Sequence, residues 1–86
     1  MIYTGDIMKI GGTVTLKSDN LKYMIVSKAE YKGKEYYLLI EIANSDNAVF
    51  CYEENNKIYI IDKNDIDFEL LKKLYDTIKE EYNKIN

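Results

Sequence analysis

Between Thr13 and Asp62 the apolar residues come at period two or in short solid runs, and from Phe68 onward they come at helical spacing. The first regime predicts strands and the second one amphipathic helix. Thr13-Val14-Thr15-Leu16 is short and β-branched, and Ser18-Asp19-Asn20 reads as a turn. A longer strand follows from about Leu21 to Glu30, with Leu21, Tyr23 and Ile25 alternating with Met24 and Val26, so that both faces are apolar at its centre. Tyr31-Lys32-Gly33-Lys34 reads as a tight hairpin in which Gly33 supplies a positive φ. From Glu35 to Ala43 the chain is most apolar: Tyr37 and Leu39 lie on one face, and Tyr36, Leu38, Ile40 and Ile42 on the other. A strand apolar on both faces belongs at the centre of a sheet.

After the polar turn Asn44-Ser45-Asp46-Asn47, Ala48 to Glu53 and Lys57 to Asp62 read as two more strands. Asn55-Asn56 joins them, and Asn tolerates the left-handed conformation that a type I′ turn requires. Short loops predict antiparallel pairing of successive strands as a meander. Asp67 is placed to cap a helix running from about Phe68 to Lys84, with Ile66 and Leu71 at hydrophobic-staple spacing. Leu71, Leu74, Tyr75, Ile78, Tyr82 and Ile85 form its apolar stripe. The expectation is an α+β fold in one domain spanning residues 1–86. It comprises a four- or five-stranded antiparallel meander over residues 12–62, for which an SH3-like curled barrel is one form, and one C-terminal α-helix over residues 67–84 that packs on the sheet.

Composition narrows the chemistry. The chain has 86 residues, 12 lysines without arginine against 15 acids, a net charge of −3, no histidine and one cysteine. A non-specific DNA coater needs a basic surplus, which is missing. Arg, His, Pro, Trp and Gln are all absent, while Lys, Ile, Tyr and Asn dominate, a bias that reads first as AT-rich coding. One cysteine closes no intrachain disulfide, and no Cys/His cluster exists for zinc, so the core rests on aliphatic and tyrosine packing. The lone thiol, with no signal peptide and no membrane span, points to a reducing cytoplasm.

Catalysis has little to work with. Histidine, the usual general base near neutral pH, is missing. Cys51 sits in a strand between Phe50 and Tyr52, where a thiol acts as a small apolar filler. Glu53-Glu54 suits a solvated turn, and Asp62, Asp65 and Asp67 suit capping at the strand–helix junction. That junction departs from a calcium loop at Ile66, Asp67 and Lys73. Gly11-Gly12 is followed by a strand rather than a helix, so it marks a turn or bulge and not a phosphate loop. The expectation is a non-enzymatic protein with no catalytic residues, metal or cofactor.

Tyrosine is the informative excess, at nine residues. Tyr23, Tyr31, Tyr36 and Tyr37 are interleaved with Lys22, Lys32 and Lys34 across one predicted hairpin, giving a candidate binding surface. Cross-strand packing accounts for such tyrosines, a protein-binding patch also fits, and single-stranded bases stack on such surfaces. Residues 1–43 hold six lysines against five acids, a local charge of only +1, and arginine is missing, so nucleic acid is the weaker reading. Tyr75 and Tyr82 on the helix form a second candidate patch, facing a partner or a second copy of the chain.

Gly12-Thr13-Val14-Thr15-Leu16, then Tyr23-Met24-Ile25-Val26, then Tyr31-Lys32-Gly33-Lys34-Glu35-Tyr36-Tyr37-Leu38-Leu39, is similar to small uncharacterised bacterial domains. In these a short V-x-L strand leads into a Y-x-G-K-x-Y hairpin. The resemblance covers residues 12–62 and implies a curled sheet, with no catalytic residue to transfer. Size and coding bias also resemble accessory proteins of phages and other mobile elements, which implies an inhibitor or adaptor of a host machine acting by surface contact. The alternatives are a nucleic-acid or nucleotide binder using the Lys/Tyr hairpin and a structural homodimer.

Overall fold

The computed structural model describes residues 9–85, with helix side chains placed through residue 79. Five strands pair in sequence order as an antiparallel meander: β1 (Thr13–Thr15), β2 (Lys22–Tyr31), β3 (Lys34–Glu41), β4 (Ala48–Glu54) and β5 (Lys57–Ile61). A 3₁₀ turn (Lys63–Asp65) leads into the single helix α1 (Phe68–Ile85). The sheet curls into a half-barrel and stays open, since β1 and β5 are its two edges.

Local chemistry sets the turns. Lys32 and Gly33 have φ of 51° and 83°, and Asn55 and Asn56 have φ of 54° and 64°, so both two-residue hairpins are of the type I′ kind. The Tyr31↔Lys34 and Glu54↔Lys57 pairs close them. At the first edge, Gly11 has φ 89° and the Gly12 amide donates to the Lys9 carbonyl at 2.9 Å, a tight turn. The Gly11 amide then donates to the Ile25 carbonyl at 2.8 Å, and the Gly12 carbonyl accepts the Ile25 amide at 2.9 Å, continuing the pairing.

A bulge in β2 divides the core. The register passes from Ile25↔Leu39 to Ser27↔Leu38, leaving Val26 as the extra residue. Side chains therefore change faces there. Tyr23 and Ile25 point into the curl with Val14, Leu16, Tyr37, Leu39, Cys51 and Ile58. Ala29 and Tyr31 point to the opposite face, where Leu38 and Phe50 meet Leu70 and Leu74 of α1. Ser27 lies fully buried at this second interface and donates its hydroxyl to the Leu74 carbonyl at 2.5 Å. A polar side chain in that position is satisfied, and it ties the helix to the sheet at one place.

The helix stripe differs from expectation by one position. Leu70 and Leu74 are its most buried residues, Leu71 and Ile78 are half-buried, and Tyr75 stands 49% exposed. Leu70 and Leu74, one turn apart, form the ridge that meets Leu38 and Phe50 of the sheet. Ile66 and Leu71 both pack against the second cluster, as staple residues should. The Asp67 carbonyl accepts the Leu71 amide at 3.0 Å, which puts Asp67 at the start of the helix.

Candidate functional site

Register assembles four tyrosines into a row on the helix-bearing face. Tyr36 of β3 pairs with Tyr52 of β4, and Tyr52 pairs with Tyr59 of β5. Tyr31, at the end of β2, completes the row. Ring centroids are 6.1 Å apart for Tyr31–Tyr36 (edge-on), 5.7 Å for Tyr36–Tyr52 (tilted) and 5.1 Å for Tyr52–Tyr59 (stacked, 19° between planes). These spacings are those of favourable aromatic pairs, so the row is a stiff platform.

The row meets the N-terminal end of α1 across an open groove of about 280 Å³. Its floor is Tyr36, Tyr52, Ile61 and Leu70, and its rim includes Tyr31, Lys32, Asp65 and Asp67. Asp67 holds one rim in place. Its Oδ2 accepts from the Tyr31 hydroxyl at 3.0 Å and pairs with the Lys32 ammonium at 3.5 Å. The carboxylate thus reaches the β2–β3 turn rather than the helix amides. Loss of hydration and the bond to Asp67 raise the Tyr31 phenol above its ordinary pKa of 10.0. Opposite, Lys34 Nζ sits 4.5 Å from the centre of the Tyr52 ring and 3.5 Å from the Glu54 carboxylate. Lys73 adds a third ammonium, 5.8 Å from the Tyr31 ring. Three lysines (Lys32, Lys34, Lys73) lie among the carboxylates Glu54, Asp65, Asp67 and Glu69, so the surround carries both signs of charge.

The hairpin residues expected to form one surface are divided by the sheet. Tyr31, Lys32, Lys34 and Tyr36 do come together at the groove. Tyr23 and Tyr37 do not: they are 1% and 2% exposed inside the curl. Alternation sends Tyr37 to the face opposite Tyr36, and the Val26 bulge sends Tyr23 to the face opposite Tyr31. Their hydroxyls are used internally, Tyr23 donating to Asp19 Oδ2 at 2.6 Å and Tyr37 to Glu53 Oε1 at 3.2 Å. Lys22 is exposed at the far end of β2, away from the groove. On the helix, Tyr75 is exposed, and the Tyr82 side chain lies outside the described residues.

Sequence reading missed Tyr52 and Tyr59. The signal was present: a two-residue Asn55-Asn56 turn pairs Glu54 with Lys57 and hence sets Tyr52 against Tyr59. A second concavity of about 220 Å³, lined by Met24, Val26, Ile40 and Ile42 with Glu41 and Ser45, lies elsewhere on the sheet and is almost wholly apolar.

Two further titratable groups serve structure. Burial, with a smaller contribution from Glu53, pushes the Cys51 thiol up to about 12, which suppresses the thiolate. The Asp62 carboxylate accepts the Asn64 amide at 2.9 Å and caps the 3₁₀ turn. Among the described residues no group of three or more His, Cys, Asp or Glu is arranged to hold a metal ion. No helix of the described residues is long and apolar enough to cross a membrane. Comparison with known proteins found no matching family model, no matching curated protein and no matching solved structure.

Proposed function

We propose that this chain is a non-enzymatic protein-interaction module whose contact surface is the Tyr31–Tyr36–Tyr52–Tyr59 row and the groove beside it. The observation that carries this reading is the row itself: four half-buried rings in register, flanked by a packed helix and by lysines and carboxylates of both signs. Tyrosine supplies large contact area at low conformational cost, and these rings are already held in place by one another. A protein segment offers the mixture such a surround recognises, apolar groups for the rings and charges of either sign for the rim. In this reading the protein works in the cytoplasm as an inhibitor or adaptor of a larger machine, in the manner of mobile-element accessory proteins.

Stacked bases are the competing ligand, because Lys34 lies over Tyr52. The pairing of Lys32 with Asp67 and of Lys34 with Glu54 weighs against it, since each ammonium already has a carboxylate beside it. The test is capture of partners from the native cell with the tagged full chain and three variants. Tyr52→Ser and Lys34→Glu should each abolish capture of a discrete protein, and Lys22→Glu should leave it unchanged. Capture unaffected by both groove variants defeats the reading. Retention of labelled single-stranded oligonucleotides at low salt, lost in Tyr52→Ser, would replace it with the nucleic-acid reading.

A further inference from the structure

Lysines already gather on the tyrosine row, and they do so on particular rings. Lys34 Nζ lies 4.5 Å from the centre of Tyr52, and Lys32 Nζ and Lys73 Nζ lie 5.3 Å and 5.8 Å from that of Tyr31. Tyrosine faces attract cations because the ring quadrupole is negative above and below the plane. Tyr36 stands between those two rings, 6.1 Å from Tyr31 and 5.7 Å from Tyr52, and among the described residues no ammonium lies over it. The planes of its neighbours are turned 70° and 49° from its own, so the three rings form walls rather than a flat stack. The charge on the groove has the matching sign. One lysine, Lys32, and two aspartates, Asp65 and Asp67, line it, a net charge of −1. Lys32 and Asp67 pair with each other at 3.5 Å, and exposed Asp65 makes no ion pair among the described residues.

We infer that the groove receives an arginine side chain of the partner protein, its guanidinium laid on Tyr36 and forked onto Asp65. This rests on the reading of the groove as a protein-contact surface and names the group that anchors there. Arginine suits the site better than lysine. A guanidinium is planar and weakly hydrated, and it can stack on an aromatic ring while its edge donates two parallel N–H bonds to a carboxylate. An ammonium is a strongly hydrated point charge and has no such fork. The methylene stem of arginine is apolar and covers Ile61 and Leu70, the aliphatic part of the floor. An acidic side chain would meet Asp65 without a compensating cation, since Lys32 is held by Asp67 and Lys34 by Glu54. The chain holds no arginine, so a second copy of it does not supply the group and the occupant is a different protein.

The experiment is a nuclear magnetic resonance titration of the isotopically labelled full chain with the peptide acetyl-Gly-Leu-Arg-Leu-Gly-amide and its lysine and glutamate counterparts. The arginine peptide should move the backbone amides of Tyr36, Asp65 and Leu70 with a Kd of about 1 mM, as suits a single anchoring side chain. The lysine peptide should bind at least about fivefold more weakly, and the glutamate peptide should leave those amides in place. Asp65→Asn, a change at an exposed side chain, should weaken the arginine peptide at least about fivefold, and Asp46→Asn, at an exposed carboxylate in the β3–β4 turn, should not. Equal affinity for arginine and lysine, undiminished affinity in Asp65→Asn, or no shift of the groove amides at about 5 mM peptide overturns the inference. Capture from the native cell separates this from the underlying reading. Asp65→Asn should lose the discrete protein that Tyr52→Ser loses, and retention of that protein by Asp65→Asn alone would leave the groove as a contact surface and remove the arginine anchor.

Discussion

Replacing Tyr23 by Phe isolates one buried phenol whose ionisation is coupled to folding. The hydroxyl donates to Asp19 Oδ2 at 2.6 Å and accepts from Asn47 Nδ2 at 3.3 Å, and Asn47 also donates to Glu41 Oε1 at 3.1 Å. Burial first, then the bond to Asp19, push the Tyr23 phenol from 10.0 up to about 12. The folded chain therefore keeps a proton that the unfolded chain releases above pH 10. The stability this proton contributes is complete below the unfolded value and is lost as pH rises through the folded one. With the folded value raised by about two units, about 1 kcal/mol is lost by pH 11 and about 3 kcal/mol once both states are ionised. Tyr23→Phe removes the titration together with the hydrogen bonds. Near pH 8 the variant should be about 1–2 kcal/mol less stable than wild type, and by pH 11 that gap should narrow by about 1 kcal/mol. Urea unfolding followed by far-ultraviolet circular dichroism at the two pH values measures the gap. A gap that stays constant or widens refutes the coupling.

Three further outcomes follow from the same packing. Ser27→Ala removes the only side-chain bond between β2 and the Leu74 carbonyl among the described residues, and should cost about 1 kcal/mol, lowering the thermal midpoint by about 4–8 °C. A stabilised variant would show that this bond does not fix the helix. The Cys51 thiol, buried and raised in pKa, should react with a thiol reagent at least about 100-fold more slowly in native protein than in urea, and equal rates would place it at the surface. Asn56→Gly relieves a left-handed backbone at φ 64° and should raise stability by about 0.5 kcal/mol in chemical denaturation, whereas a loss would contradict the turn assignment.

The parts of the fold readable from sequence are those set by neighbours along the chain. Lys32-Gly33 and Asn55-Asn56 announce their hairpins because few residue types accept a positive φ. The change from period two to helical spacing after Asp67 locates α1 for the same local reason. The groove depends on what the chain does across strands. Val26 is one apolar residue in an apolar run, and nothing about it marks it as the bulge that turns Tyr23 inward and Tyr31 outward. Tyr36 and Tyr37 are equivalent in composition, and only the strand's alternation, anchored by Leu38 under the helix, decides that Tyr36 joins the groove. Tyr52 and Tyr59 come from strands that the sequence placed correctly. Proximity of lysines and tyrosines along the chain pointed to the hairpin instead, while register across β3, β4 and β5 was the stronger guide.

The proposed contact surface is the tyrosine row, and site-directed photo-cross-linking in the native cell tests that proposal most directly. A benzophenone amino acid placed at half-buried Tyr59, at the β5 end of the row, should join the chain to a discrete protein, and the same probe at exposed Lys22 should not. Cross-links from Lys22 with none from Tyr59 would contradict it.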